Sequence, residues 1–108
     1  MSDVDDDKRP TATATVLTEH GLTILRLTGE LDLATVNDLQ ETVAALVDRA
    51  PEHLIVDLSD VTFMDSSGIA LLLQVSQRLP RTELRNPSPL IRRVLDLTAL
   101  TEILPVVS

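Results

Sequence analysis

The spacing of apolar positions along this chain changes rhythm several times, and each rhythm predicts an element. Between Thr11 and Thr18, Thr11, Thr13 and Thr15 alternate with Ala12, Ala14 and Val16, a period of two that predicts a strand with one wet face. His20-Gly21 predicts a turn, and Leu22–Thr28 predicts a second strand folded back on the first as a hairpin. Gly29 is expected to end that strand. Val36, Leu39, Val43, Leu46, Val47 and Ala50 then recur mostly at steps of three and four, the stripe of an amphipathic helix that Pro51 prevents from continuing. Asp32 or Thr35 is suited to cap its start. His53–Leu58 carries Leu54, Ile55, Val56 and Leu58 in near-continuous apolar order, the pattern of a central strand covered on both faces.

The second half repeats the alternation. Ser66 or Asp65 is placed to cap a helix through Ile69, Leu71, Leu72, Leu73 and Val75 that Pro80 stops. A short strand is expected around Glu83–Leu84. Ser88 followed by Pro89 predicts a helix cap and first helical position ahead of Leu90, Ile91, Val94, Leu95 and Leu97, and Leu104–Val107 supplies a last strand. Strands alternating with helices imply parallel pairing through right-handed crossovers, after an antiparallel hairpin. The expected fold class is therefore α/β: a mixed sheet with amphipathic helices on one face. The 108 residues fit one domain, placed at 11–108. Residues 1–10, rich in Asp and without periodic apolar positions, are expected to form a flexible acidic tail.

Composition narrows the function. Phe63 is the one aromatic residue, so stacking on bases or sugars lacks its main tool. Cysteine is absent, which excludes disulfides, thiol nucleophiles and cysteine metal sites. The net charge is −8, and residues 19–65 hold ten acids against two bases. Such a field repels nucleic acid and steers toward a basic protein surface, besides favouring solubility. No apolar run approaches the length of a membrane helix and no signal core precedes Pro10, so a soluble cytoplasmic protein with no nucleic-acid or membrane partner is expected. The histidines are His20 and His53, and the motifs of a nucleophile elbow, a zinc protease or a phosphate loop do not occur. A serine nucleophile needs a positioned base, so no enzyme activity, metal or cofactor is expected.

Two clusters carry candidate chemistry. Phe63-Met64-Asp65-Ser66-Ser67-Gly68 follows the buried strand and opens a helix, the place where open α/β sheets put their sites. An ordinary helix cap would explain one hydroxyl or carboxylate there; the second serine would remain available for phosphorylation, where a phosphate would feel both the helix dipole and the like charge of Asp65. Thr28-Gly29-Glu30-Leu31-Asp32 stands at the exit of the earlier strand, and alone reads as a solvated turn and cap. If right-handed crossovers bring both exits to one end of a parallel pair, acids and serines form a single rim.

With those residues in view, Leu27-Thr28-Gly29-Glu30-Leu31-Asp32, Val56 to Gly68, Asn86-Pro87-Ser88-Pro89 and Val94-Leu95-Asp96-Leu97-Thr98 resemble the anti-sigma factor antagonists of the STAS family, over about Thr15 to Val106. Asp-Ser-Ser-Gly in this setting is the specific part; Gly-Glu-Leu-Asp is supportive. The resemblance implies the STAS fold and a partner-switching role. Unphosphorylated, such a protein binds an anti-sigma factor serine kinase and so releases a sigma factor; phosphorylation ends the interaction and a serine phosphatase restores it. The kinase would bring ATP and magnesium. The phosphoacceptor maps to Ser66, with Ser67 its neighbour, and the implied partner surface comprises Gly29, Glu30, Asp32, Met64, Asp65, Ser66, Ser67, Gly68 and Ile69. The resemblance also admits an accessory STAS subunit of a transporter or lipid-trafficking complex, or a nucleotide- or anion-sensing module using the Ser66–Gly68 helix start. Two departures bear on stability and on partner contacts of the third helix. Leu79-Pro80-Arg81 leads into a very short strand without the usual Gly-containing helix exit, and that strand is expected to be short or frayed. Relatives commonly continue beyond the position of Ser108 into another helix, so one side of the sheet is expected to be less covered.

Overall fold

A computed structural model describes residues 11–107; the acidic tail expected at 1–10 lies outside the described residues. The order is β1 (Ala12–Glu19), β2 (Leu22–Leu31), α1 (Leu33–Arg49), β3 (Leu54–Met64), α2 (Ser66–Arg78), β4 (Thr82–Arg85), α3 (Pro89–Leu97), a 3-10 turn (Leu100–Glu102) and β5 (Val106–Val107). The sheet order is β1-β2-β3-β4-β5, antiparallel between β1 and β2 and parallel thereafter. The expected mixed sheet is therefore present. His20 at φ 51° and Gly21 at φ 81° both occupy the left-handed region, as the tight turn of a twisted hairpin requires.

One core joins the sheet to all three helices. Leu25, Leu27 and Leu31 of β2, Leu54, Val56 and Leu58 of β3, and Leu84 of β4 meet Leu39, Val43 and Leu46 of α1, Leu71, Leu72 and Val75 of α2, and Ile91 and Leu95 of α3. Side chains alternate across a strand, so the same strands turn Ile24, Arg26, Ile55, Asp57, Glu83 and Arg85 to the opposite face. There Asp57, 2% exposed, receives Arg85 Nη2 at 2.9 Å and lies 3.7 Å from Arg26 Nη2, while Arg85 Nη1 reaches Glu19 at 3.1 Å. Burial acts to raise the Asp57 carboxyl, but the hydrogen bonds from Arg85 and from Ser59 together hold it below the usual aspartate value.

The structure corrects two boundaries. Gly29 does not end β2: the strand runs on to Leu31, and β3 runs on to Met64 rather than stopping near Leu58. Irregular register between Arg26 and Thr28 and again between Gly29 and Glu30 shows the reason. At φ +89° Gly29 turns the backbone without leaving the sheet, and a Cβ there would stand 2.1 Å from the Thr11 carbonyl oxygen. β4 is as short as expected, four residues, yet it is paired on both sides, to β3 and to β5. Ser88 caps α3 and Pro89 opens it, as the sequence indicates.

Candidate functional site

The two acidic clusters meet at one end of the central parallel pair. Glu30 lies opposite Phe63 and Leu31 opposite Met64, so both strands deliver their chains to the same rim. The exits are tied together: Asp65 N–H donates to the Leu31 carbonyl at 3.1 Å, and the Thr62 hydroxyl donates to the Gly29 carbonyl at 3.3 Å. Each exit then becomes a helix start. Asp32 caps α1, accepting from the N–H groups of Ala34 at 2.9 Å and Thr35 at 3.1 Å. Thr35 returns the bond, its hydroxyl accepting the Asp32 N–H at 3.1 Å, and also donates to the Glu30 carbonyl at 2.5 Å. Both residues the sequence offered as caps are thus used, as a reciprocal pair.

At α2 the choice is resolved in favour of Asp65, whose Oδ1 accepts the Ser67 N–H at 2.8 Å. Ser66 therefore opens the helix as its first residue, exposed, without its hydroxyl being spent on the cap. Ser67 is half-buried. The two carboxylates of Asp32 and Asp65 sit at two positive helix ends, and Glu30 adds a third acid beside them.

Not every residue of the expected surface is presented on it. Met64 is 4% exposed and Gly68 is buried; both lie beneath the rim. A Cβ on Gly68 would stand 2.8 Å from Met64 Cγ, 2.9 Å from Leu31 Cβ and 3.0 Å from the Leu31 carbonyl oxygen. Gly68 is thus what lets α2 close against the end of β2. Glu30, Asp32, Asp65 and Ile69 are half-buried, as is Gly29. Sequence reasoning passed over Leu33 and gave Phe63 no part in binding. Leu33 is 76% exposed and Phe63 45% exposed, two apolar side chains flanking the acids. Their signal was present: Leu33 stands off the α1 stripe that begins at Val36, and Phe63 is the sole aromatic of the chain. Among the described residues there is no cluster suited to a metal ion, and no described helix is long and apolar enough to cross a membrane.

A family model described as the STAS domain matches residues 13–108. The chain belongs to that family. The anti-sigma-F factor antagonist RsfB of Mycobacterium tuberculosis is 36% identical over 67 residues, 62% of this chain and 55% of that protein, so this STAS chain aligns with about half the length of that relative. Among solved structures, an anti-sigma factor antagonist from Mycobacterium paratuberculosis superposes with a TM-score of 0.81 at 28% identity, covering 88% of this chain and 84% of that one. The anti-sigma factor antagonist SpoIIAA in its unphosphorylated form gives a TM-score of 0.72 at 27% identity and 89% coverage of both chains. The Bacillus SpoIIAA in its phosphorylated form gives 0.64 at the same identity, with 89% of this chain and 92% of that one covered.

Proposed function

We propose that this STAS protein is an anti-sigma factor antagonist whose rim docks on a basic surface of an anti-sigma factor and is switched off by phosphorylation of Ser66. The observation that carries the reading is the division of labour at α2: Asp65 makes the cap, and Ser66 beside it is exposed, its hydroxyl without a hydrogen-bond partner among the described residues. Glu30, Asp32 and Asp65 supply negative charge for steering and register, while Leu33 and Phe63 supply apolar contact of the kind that anchors interfaces. A phosphate on Ser66 would add a charge of about −1.5 to −2 next to Asp65. Attraction to the helix start would persist, but the partner's surface would meet a changed shape and an excess of hydrated charge. A loss of only ~1.4 kcal/mol weakens binding tenfold.

The similarity to SpoIIAA, a protein known in unphosphorylated and phosphorylated forms, supports the same reading. In it the protein itself is a binding partner and not an enzyme; an anti-sigma factor serine kinase brings ATP and magnesium, a sigma factor is freed, and a serine phosphatase resets the cycle. An anion-sensing role is less well served, because the Asp65 carboxylate already occupies the α2 start where an anion would sit. Incubation with the cognate kinase and Mg-ATP followed by peptide mapping tests the assignment. Phosphate is expected on Ser66; phosphate confined to Ser67 or Thr62 would overturn it.

A further inference from the structure

The two edges of the sheet are treated differently. β5 is two residues long, a short edge that gives another chain little to pair with. β1 is eight residues long and, among the described residues, pairs only with β2. Its one charged residue, Glu19, is its last, and from Ala12 to Thr18 it contains no charge, proline or glycine, so none of the usual devices that blunt an open edge lies within that stretch. Every second residue of such a strand turns its N–H and C=O outward. Beside this edge runs a shallow groove lined by Val16 of β1 and by Glu41, Thr42, Ala45, Leu46 and Arg49 of α1.

The direction of the elements matters here. β1 is antiparallel to β2, and α1 returns from the end of β2 to the start of the parallel strand β3, so α1 runs in the same sense as β1. A two-fold axis that pairs β1 with β1 of a second molecule antiparallel also sets the two α1 helices antiparallel. With Ala45 on that axis, Glu41 of one molecule falls opposite Arg49 of the other, and Arg49 opposite Glu41, each four residues from the centre. Val16 lines the same groove as Ala45, so strand and helix share one centre. Glu41, Ala45 and Arg49 are all exposed, and Ala45 is small enough to let the helices approach. This is the self-complementary pattern that an isologous interface demands.

We propose that the β1 edge and the adjoining flank of α1 form a homodimer interface, in which two sheets join across β1 and two Glu41–Arg49 pairs bracket Ala45. The interface leaves the acidic rim open: Asp32 stands thirteen residues from Ala45 along α1, about 20 Å at 1.5 Å per residue. The proposal does not depend on the function assigned to that rim.

Sedimentation equilibrium over a concentration series tests it, with thermal melts of dilute samples to confirm that each variant is folded. The unmodified protein is expected to show a monomer–dimer equilibrium. Glu41→Arg alone, which sets like charges opposite one another twice, should weaken dimerisation about tenfold, whereas Glu41→Arg combined with Arg49→Glu should restore it. Since the chain has no cysteine, Ala45→Cys gives a clean second readout: a short thiol-to-thiol crosslinker should capture dimer from Ala45→Cys and not from Leu97→Cys on α3. Amide exchange within β1 should slow as concentration rises in the unmodified protein and not in Glu41→Arg. A monomer up to about 1 mM, a dimer indifferent to Glu41→Arg, or crosslinking through Leu97→Cys alone would overturn the proposal.

Discussion

Asp32 and Asp65 hold equivalent positions as the caps of two helix starts, and because Asp65 takes the cap at α2 the Ser66 hydroxyl is not spent on it. Asp32 is locked by Thr35, a residue 1% exposed whose hydroxyl also accounts for the Glu30 carbonyl. Replacement of Asp32 by Ala should therefore lower stability by about 0.5–2 kcal/mol in urea unfolding, the usual worth of such a cap. Asp32→Asn keeps the capping oxygen and removes the charge. It should unfold like the unmodified protein yet bind the anti-sigma factor more weakly at low salt; equal binding would make Asp32 purely structural. Gly68 is tested by Gly68→Ala, which must displace Met64 and Leu31 and should cost about 1–3 kcal/mol, as overpacking does. At this scale the sequence shows the cap candidates at both helix starts, because caps are local chemistry, but leaves Asp65 and Ser66 as alternatives at α2, which the structure decides for Asp65. Thr35 was visible only as an alternative to Asp32, and the exposure of Leu33 and Phe63 was not visible, because exposure depends on what the rest of the chain covers.

Among the elements, β2 and β3 are where reading and structure part. A glycine followed by charged residues reads as the end of a strand, yet Gly29 sits in a bulge and both strands continue to the rim, joined through Asp65 N–H and the Leu31 carbonyl. Bulges are settled by pairing with a neighbour, which periodicity along one segment does not encode. The interior charge of β3 is similar: Asp57 interrupts an apolar run, and only the sheet shows that Arg85, Arg26 and Glu19 gather around it. Because the folded-state value of Asp57 is lowered, its contribution to stability is complete above the ordinary aspartate value of 3.8, and is lost as pH falls through the lower folded value. Asp57→Asn should accordingly be less stable at neutral pH, with Arg85 left short of its partner. Its stability should also decline less steeply than that of the unmodified protein below about pH 4. Parallel slopes in acid urea titrations would show that Asp57 is not the group responsible.

For the molecule as a whole, the alternation of strands and helices was enough to give a mixed sheet with helices on one face, and the single core bears that out. What the topology adds is coincidence in space. Two short acidic segments, more than thirty residues apart in sequence, emerge side by side, flanked by the exposed side chains of Leu33 and Phe63. Binding is expected to weaken with added salt, since exposed charges of the rim are screened, and to retain an apolar component that Leu33→Ser together with Phe63→Ser would remove without changing the charge. The central claim is that one hydroxyl controls this surface. Titration calorimetry of the anti-sigma factor kinase against unmodified protein and against protein carrying phosphate on Ser66 addresses it most directly. At least tenfold weaker binding of the phosphorylated form is expected, a change of ~1.4 kcal/mol or more, with Ser66→Ala binding like the unmodified protein; equal affinities for the two forms would contradict the account.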